Sequence, residues 1–439
     1  MTKPFFTHVQ HRLVLYGACS ISFLLSLLPP RWLHRLGRGL GLIGYYLSKK
    51  YRKLTMNNLA LVQPALGLSE TEMKAIAKQA FQSLTITCLE YGRLARSYTK
   101  IDALLHAKNE RSAVPLQKEG KGDRKGIIFL GSHLANWEVS FIDSSHRSPV
   151  IAVGRAIDNT LLYSWIVSIR EMWGGKIIDQ QGALKASLRA LKKGVSVGFV
   201  ADQGLPSSSY SYPFFGVRAW TSSAPGLLSY ATGSPIVVVS IKREADGRYL
   251  VGYSDPIWPD LTKPSKEEVE RLMHEALVLQ EQAIRENLGQ WLWQHRRWKQ
   301  PKGLVAKRFS HDAFLVILPE DLAAFEACMK GLYVLRTFYP YGFLTFLVPQ
   351  SREQEGRGAL KVLEGDIITY STAKEALLDS WLYQVVLDFA DISGCHQHYL
   401  KLGAFEVVNF LQLGALAKKR FPTIDTTDVY QVIFYGLIK

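Results

Sequence analysis

Short apolar runs bounded by glycine, proline or charge punctuate the middle of the chain, at Ile127–Leu130, Val150–Val153, Val195–Val200 and Ile236–Ile241. Such runs predict strands buried on both faces. Between them, Leu161–Trp173 and Ala183–Leu191 carry apolar positions at helical spacing, so strands and helices alternate as in an α/β sheet. An earlier helix is expected from Ser69-Glu70 through Met73, Ile76, Ala80, Leu84 and Cys88 to about Leu94, and a long one over Lys266–Asn287. Ahead of these, Leu13–Leu28 is an uncharged apolar stretch closed by Pro29-Pro30, which cannot continue a helix. At about 1.5 Å per residue it reaches roughly 24 Å, short of the ~30 Å hydrocarbon layer. It therefore spans only with local thinning of the bilayer or lies partly in the interface. A basic, Pro- and Gly-containing segment follows Lys299, and Phe314–Leu318, Phe343–Val348, Ile367–Tyr370 and Val385–Phe389 then read as strands, with a helix over Asp321–Arg336. The expected organisation is an anchor and basic interfacial segment over 1–53, a main α/β domain over 54–299, a linker over 300–311 and a smaller α/β domain over 312–439.

Charge sharpens the reading of the N-terminal end. The chain carries 53 Lys and Arg against 38 Asp and Glu, a formal charge of +15, which favours an anionic partner. No acid occurs before Glu70, whereas Lys3, Arg12, Arg31, Arg35, Arg38, Lys49, Lys50, Arg52 and Lys53 all do. Trp32, Leu33, Leu36, Leu40, Ile43 and Tyr46 are interleaved among these cations, and no small-x-small site precedes a polar start, so a retained anchor is favoured over a cleaved signal peptide. The larger basic cluster lies downstream of the apolar run and favours a cytoplasmic body. Cys19, Cys88, Cys328 and Cys395 are scattered without a C-x-x-C pair, which points away from a zinc site or a disulfide framework.

Candidate chemistry centres on Gly126–Glu138, an apolar strand, a tight turn and a helix start in which His133 and Glu138 stand in H-x-x-x-x-E spacing. With 11 His and 38 acids in the chain, one such match arises by chance, and a His beside a strand is commonly a satisfied structural residue. Context adds weight, because a His in the turn before a helix can fold over its first turn, where Glu138 would face it and N–H groups point at a developing anion. Two other motifs are decoys. Gly39-Leu-Gly41-Leu-Ile-Gly44 follows a basic helical leader instead of a strand, and Ser196 of Gly194-Val-Ser196-Val-Gly198 begins a strand and does not sit at a strand-to-helix elbow.

Five ordered blocks carry a family resemblance from about Arg52 to Lys299. They are Gly-Ser-His133-Leu-Ala-Asn-Trp-Glu138; Val-Gly-Arg155 with Asn159 and Arg170 before Gly174-Gly175; Ala-Asp202-Gln203-Gly; Phe214-Phe215-Gly216 with Thr221; and Gln290-Trp291-Leu-Trp293-Gln-His295-Arg296-Arg297-Trp298-Lys299. In these the chain resembles the lipid A biosynthesis acyltransferases, a branch of the glycerol-phosphate-acyltransferase-like group. The resemblance implies a mixed α/β sheet flanked by helices, and transfer of a fatty acyl chain from an acyl carrier protein thioester to a hydroxyl of a Kdo-bearing lipid A precursor. The setting it implies is the cytoplasmic face of the inner membrane, with no metal and no cofactor beyond the thioester, for which coenzyme A is the alternative carrier. His133 then serves as general base, Glu138 as its orienting acid and Arg170, with N–H groups near His133, as oxyanion donor. Arg155, Asn159, Asp202, Gln203, Phe215, Gly216, Thr221, His295, Arg296 and Arg297 are the expected substrate-binding positions. An anionic membrane is the expected surface partner and nucleic acid is not.

Residues 312–439 lie outside the resemblance. Their pattern is faintly like the first half of a two-lobed heptosyltransferase, but no Gly-rich phosphate loop is present and about 128 residues leave no room for a second lobe. A non-catalytic domain is the favoured reading. The competing functions are glycosyl transfer by this unit, and a basic scaffold that binds membrane or RNA without catalysis.

Overall fold

The computed structural model describes residues 3–96, 105, 126–208, 210–301 and 312–438, so the expected linker lies almost wholly outside it. The N-terminal part is helical: α1 (Lys3–Ser26), α2 (Pro30–Leu47), α3 (Lys49–Leu66), α4 (Glu70–Leu89) and α5 (Tyr91–Arg96). Among the described residues no helix is long and apolar enough to cross a membrane. The spanning form of the expected anchor is thereby corrected. Although α1 has 24 residues, its first half contains Lys3, His8, Gln10, His11 and Arg12, and Ser20, Ser22 and Ser26 interrupt the remainder. The helix α2 is amphipathic, with Leu33, His34, Gly37, Gly41 and Tyr45 buried and Trp32, Leu36, Leu40, Ile43 and Leu47 exposed. A Cβ added at Gly41 would lie 2.5 Å from Cα of Gln82 on α4, so the glycine-rich stretch is a helix-packing stripe, not a phosphate loop.

The chain forms two compact units that do not follow its order: residues 1–47, 74–203 and 221–294 in one, and 48–73, 204–220 and 295–439 in the other. The first holds a six-stranded mixed sheet of β1 (Ile128–Gly131), β2 (Val150–Gly154), β3 (Lys176–Asp179), β4 (Ser196–Val200), β7 (Ile236–Arg243) and β8 (Tyr249–Tyr253); β5 (Ser211–Phe214) and β6 (Val217–Trp220) form a separate hairpin in the second unit. The order is β3-β2-β4-β1-β7-β8, parallel except for the antiparallel β7–β8 pair. Helices α6 (Trp137–Arg147), α7 (Thr160–Glu171), α8 (Ala183–Lys192), α9 (Ala224–Thr232) and α10 (Ser265–Arg285) flank it. Central strands are apolar on both faces, and Ile128, Leu130, Val197, Ile236 and Val238 pack with Leu191, Leu272 and Ala276. The sequence pattern misses β3, an exposed edge strand with only two apolar residues, and β8, whose apolar positions alternate.

In the second unit the hairpin turns on Phe215 (φ 50°) and Gly216 (φ 75°), the pair of left-handed residues that a type I′ connection demands. The C-terminal sheet comprises β9 (Ala313–Ile317), β10 (Phe343–Pro349), β11 (Asp366–Tyr370), β12 (Val385–Asp388) and β13 (Glu406–Asn409) in the all-parallel order β11-β10-β9-β12-β13. Helices α11 (Leu322–Leu332), α12 (Val334–Phe338), α13 (Glu353–Leu360), α14 (Cys395–Leu402), α15 (Phe410–Arg420) and α16 (Val429–Leu437) complete it. Phe314 and Val316 face one core and Leu315 and Ile317 the other, which is why β9 reads as an unbroken apolar run.

Candidate active site

Register in the first sheet brings two polar residues together. Strands β1 and β4 are parallel neighbours with Gly131 opposite Val200, so the residues two beyond each, His133 and Asp202, emerge side by side at the carboxyl edge. The Nδ1 of His133 lies 2.6 Å from Oδ1 of Asp202, and the backbone N–H of His133 donates to Oδ2 at 2.7 Å. Trp291 donates its indole N–H to the same Oδ2 at 2.8 Å. Asp202 is fully buried, whereas His133 keeps 17% of its side chain exposed. Burial opposes charging the imidazole, but the Asp202 carboxylate, its hydrogen bond and the charge of Glu138 outweigh it and raise the pKa of His133 above the ordinary histidine value. In the neutral ring the proton sits on Nδ1, against Asp202, and the lone pair on Nε2, where the Gln203 amide nitrogen lies at 3.4 Å.

The expected pairing of His133 with Glu138 is corrected by this geometry: the carboxylate that holds the imidazole is Asp202. Glu138, in the first turn of α6 and 4% exposed, is committed elsewhere. Arg170 donates Nε to one of its oxygens at 2.8 Å and Nη2 to the other at 2.5 Å, and Tyr91 donates its hydroxyl at 2.6 Å. Burial and the neighbouring Glu138 push the Tyr91 phenol well up, so it stays a donor. This fork-on-carboxylate pair is a charge-assisted clamp between α6 and α7. The backbone donors expected near His133 are also largely spent, since the N–H groups of His133, Leu134 and Ala135 go to Asp202, Ser132 and Gln290.

A cavity of about 390 Å³ opens beside these groups, in the size range of small-molecule sites. Its wall includes Phe129, Phe141, Val150, Ala152, Phe199 and Val239, and its polar lining His133, Glu138, Arg155, Arg170 and Gln203. Arg155 and Gln203 are exposed and line the rim. Asn159 does not line this cavity: its side chain caps α7 by accepting from Leu162 N–H at 3.0 Å and donates to the carbonyl of His11 at 3.2 Å. Thr221 is fully buried in the same unit. Phe215, Gly216, His295, Arg296 and Arg297 belong to the second unit. There Phe215 and Gly216 make the hairpin turn. Arg297 is wholly buried with its guanidinium over Phe214 and Nη1 on the carbonyl of Trp220, and the carbonyl of His295 accepts from Asn58 at 2.7 Å. Sequence reasoning overlooked Tyr91 and the role of Trp291 as a donor to Asp202; the only signal was Trp291 lying in a block already singled out.

A mixed α/β unit with a buried carboxylate–imidazole pair beside a cavity lined by both apolar and polar side chains suits an enzyme acting on a substrate with apolar and polar portions. Residues 2–300 match the family model described as bacterial lipid A biosynthesis acyltransferase. Over 298 residues, 65% of this chain and 92% of the relative, the sequence is 26% identical to the lipid A biosynthesis lauroyltransferase of Escherichia coli (strain K12). Over 297 residues, 67% of this chain and 93% of the relative, it is 26% identical to the lipid A biosynthesis palmitoleoyltransferase of the same organism. The chain belongs to the bacterial lipid A biosynthesis acyltransferase family, and it is an acyltransferase of lipid A biosynthesis.

Proposed function

We propose that this enzyme moves a fatty acyl group from an acyl carrier protein thioester to a hydroxyl of a Kdo-bearing lipid A precursor, with His133 as general base. The observation that carries the proposal is the His133–Asp202 pair, which fixes the Nδ1–H tautomer and leaves Nε2 as the acceptor at a cavity whose wall includes Phe129, Phe141, Phe199 and Val239. The acceptor hydroxyl gives its proton to Nε2 as its oxygen attacks the thioester carbonyl. Asp202 stabilises the imidazolium so formed. The tetrahedral oxyanion is met by Arg170 and by N–H groups of the first turn of α6, and its collapse breaks the carbon–sulfur bond. The departing thiolate, with a reference pKa of about 8.5, needs no strong acid and takes the proton back from His133. Glu138 holds Arg170 at the cavity, and Arg155 at the rim binds an anionic portion of donor or acceptor.

The leader supplies attachment to an anionic membrane at its cytoplasmic face, lying in the interface instead of spanning it. Supporting this are the exposed Leu13, Tyr16 and Leu24 of α1, the exposed Leu27 just after it, and the mixture of Trp32, Leu36, Leu40 and Ile43 with Arg31, Arg35 and Arg38 on the outer face of α2.

The test is His133→Ala. With carrier-bound acyl donor and a Kdo-bearing lipid A precursor, acyl transfer read as the mass increase of the lipid should fall roughly a hundredfold or more, while folding is retained. A folded His133→Ala protein that transfers at the wild-type rate would sink the assignment.

A further inference from the structure

The turn that carries His133 is held from below by a buried polar cluster that the reaction itself does not use. Glu90, the residue after α4 and 2% exposed, accepts from His34 Nε2 at 2.7 Å, from Asn136 Nδ2 at 3.0 Å and from the Tyr249 hydroxyl. Arg243 lies 3.6 Å from the same carboxylate and donates to the Tyr249 hydroxyl at 2.9 Å, to Ser83 at 3.0 Å and to Thr87 at 2.8 Å. Besides Asn136 itself, two further links run from Arg243 to the turn. The Thr87 hydroxyl lies 2.8 Å from the carbonyl of Ala135, and Gln290, bonded through its amide to both backbone groups of Arg243, accepts the N–H of Ala135 at 2.8 Å.

Two features show that this turn needs holding. Ala135 stands at φ 49°, a left-handed conformation that side-chain-bearing residues rarely adopt and that the surroundings must impose. Asn136 precedes α6 at the N-cap position, yet its side chain makes no cap bond, and its amide is fully buried and spent on Glu90. The asparagine thus gives up the interaction its position favours for one with a carboxylate 46 residues away in sequence.

We propose that Glu90 and Asn136 are positioning residues for the His133 turn and that His34 ties this support to the leader helix α2; the inference rests on His133 being the base. The buried face of α2 carries His34, while its outer face carries the exposed Trp32, Leu36 and Leu40. Docking of α2 therefore completes the cage around Glu90 that fixes Asn136, and through it the direction of the His133 ring. The leader contributes to turnover as well as to attachment.

Transfer should be measured per folded enzyme for the full-length Asn136→Ala and Glu90→Gln proteins, with Glu268→Gln as a control. Glu268 is a fully buried glutamate of the same unit whose side chain bonds to Arg271 and the Asp260 backbone and does not touch the turn. Because misdirecting a base costs rate and not substrate affinity, Asn136→Ala and Glu90→Gln should each lower kcat about tenfold or more and leave KM for the thioester within about twofold. The double variant should be little worse than either single one. A kcat for Asn136→Ala within about twofold of wild type, or equal to that of Glu268→Gln, overturns the proposal, and Asn136→Ala decides the matter if Glu90→Gln does not fold. His133→Ala run in parallel separates the two hypotheses: an inactive His133→Ala beside a fully active Asn136→Ala refutes the positioning role alone, whereas an active His133→Ala refutes the base assignment.

Discussion

Asp202→Asn perturbs the proposed mechanism at one atom. In the wild type, Oδ2 of Asp202 accepts from the His133 backbone and from Trp291, and Oδ1 accepts from His133 Nδ1. An asparagine keeps the first two bonds only with its oxygen at the Oδ2 position, which places its NH2 against Nδ1. The imidazole must then accept at Nδ1 and carry its proton on Nε2, the tautomer that cannot act as a base. Because Asp202 is fully buried, water cannot relieve this choice. Loss of an orienting acid by this route costs about 10³–10⁴ in kcat, or roughly 4–5.5 kcal/mol of transition-state stabilisation. The pH profile adds an independent sign. A base works when neutral, so the rate rises with pH through the pKa of His133, and in the wild type that acid limb lies above the unperturbed value of about 6.5 because Asp202 raises it. Removing the carboxylate leaves burial unopposed by its main partner, so the limb moves to lower pH even as the plateau falls. The assay is acyl transfer from the carrier thioester followed by mass spectrometry of the lipid across pH, with circular dichroism to establish folding. A folded Asp202→Asn protein with a near wild-type plateau and an unmoved acid limb would refute the reasoning.

Two further outcomes test the remaining structure. Glu138→Gln should destabilise the fold as well as impair transfer, by about 2 kcal/mol, less than the ~3–5 kcal/mol of a fully buried pair because Arg170 keeps 23% exposure; an unchanged denaturation midpoint would show that the Arg170 clamp carries no stability. Replacing the exposed Leu13, Tyr16, Leu24 and Leu27 by Ser should shift much of the protein from membrane to soluble fractions and make the residual binding more salt-sensitive, since surface charges are screened within about 10 Å at 0.1 M; undiminished membrane retention would count against an interfacial leader.

Much of this molecule was legible in its sequence because the relevant signals are local. Apolar runs with sharp boundaries marked β1, β2, β4, β7 and the central strands of the C-terminal sheet, and the absence of a preceding strand showed that the glycines of α2 form no phosphate loop. The blocks around His133, Asp202 and Trp291 indicated the family before any geometry was known. The length of the leader left open whether it spans a membrane, and the polar interruptions of α1 leave no helix among the described residues long and apolar enough to do so. What the linear pattern could not carry was adjacency. Glu138 is five residues from His133 in the chain and was the natural partner by spacing, while Asp202 is 69 residues away. Only the parallel pairing of β1 with β4, with Gly131 opposite Val200, puts Asp202 on the imidazole and frees Glu138 for Arg170 and Tyr91. The same holds for His34, Glu90 and Arg243, which come from α2, the residue after α4 and β7 and meet only because helices and sheet close over them. Local propensity fixes which segments become strands and helices, but strand order and register, set by the burial of the whole sheet, decide which polar residues share a hydrogen bond.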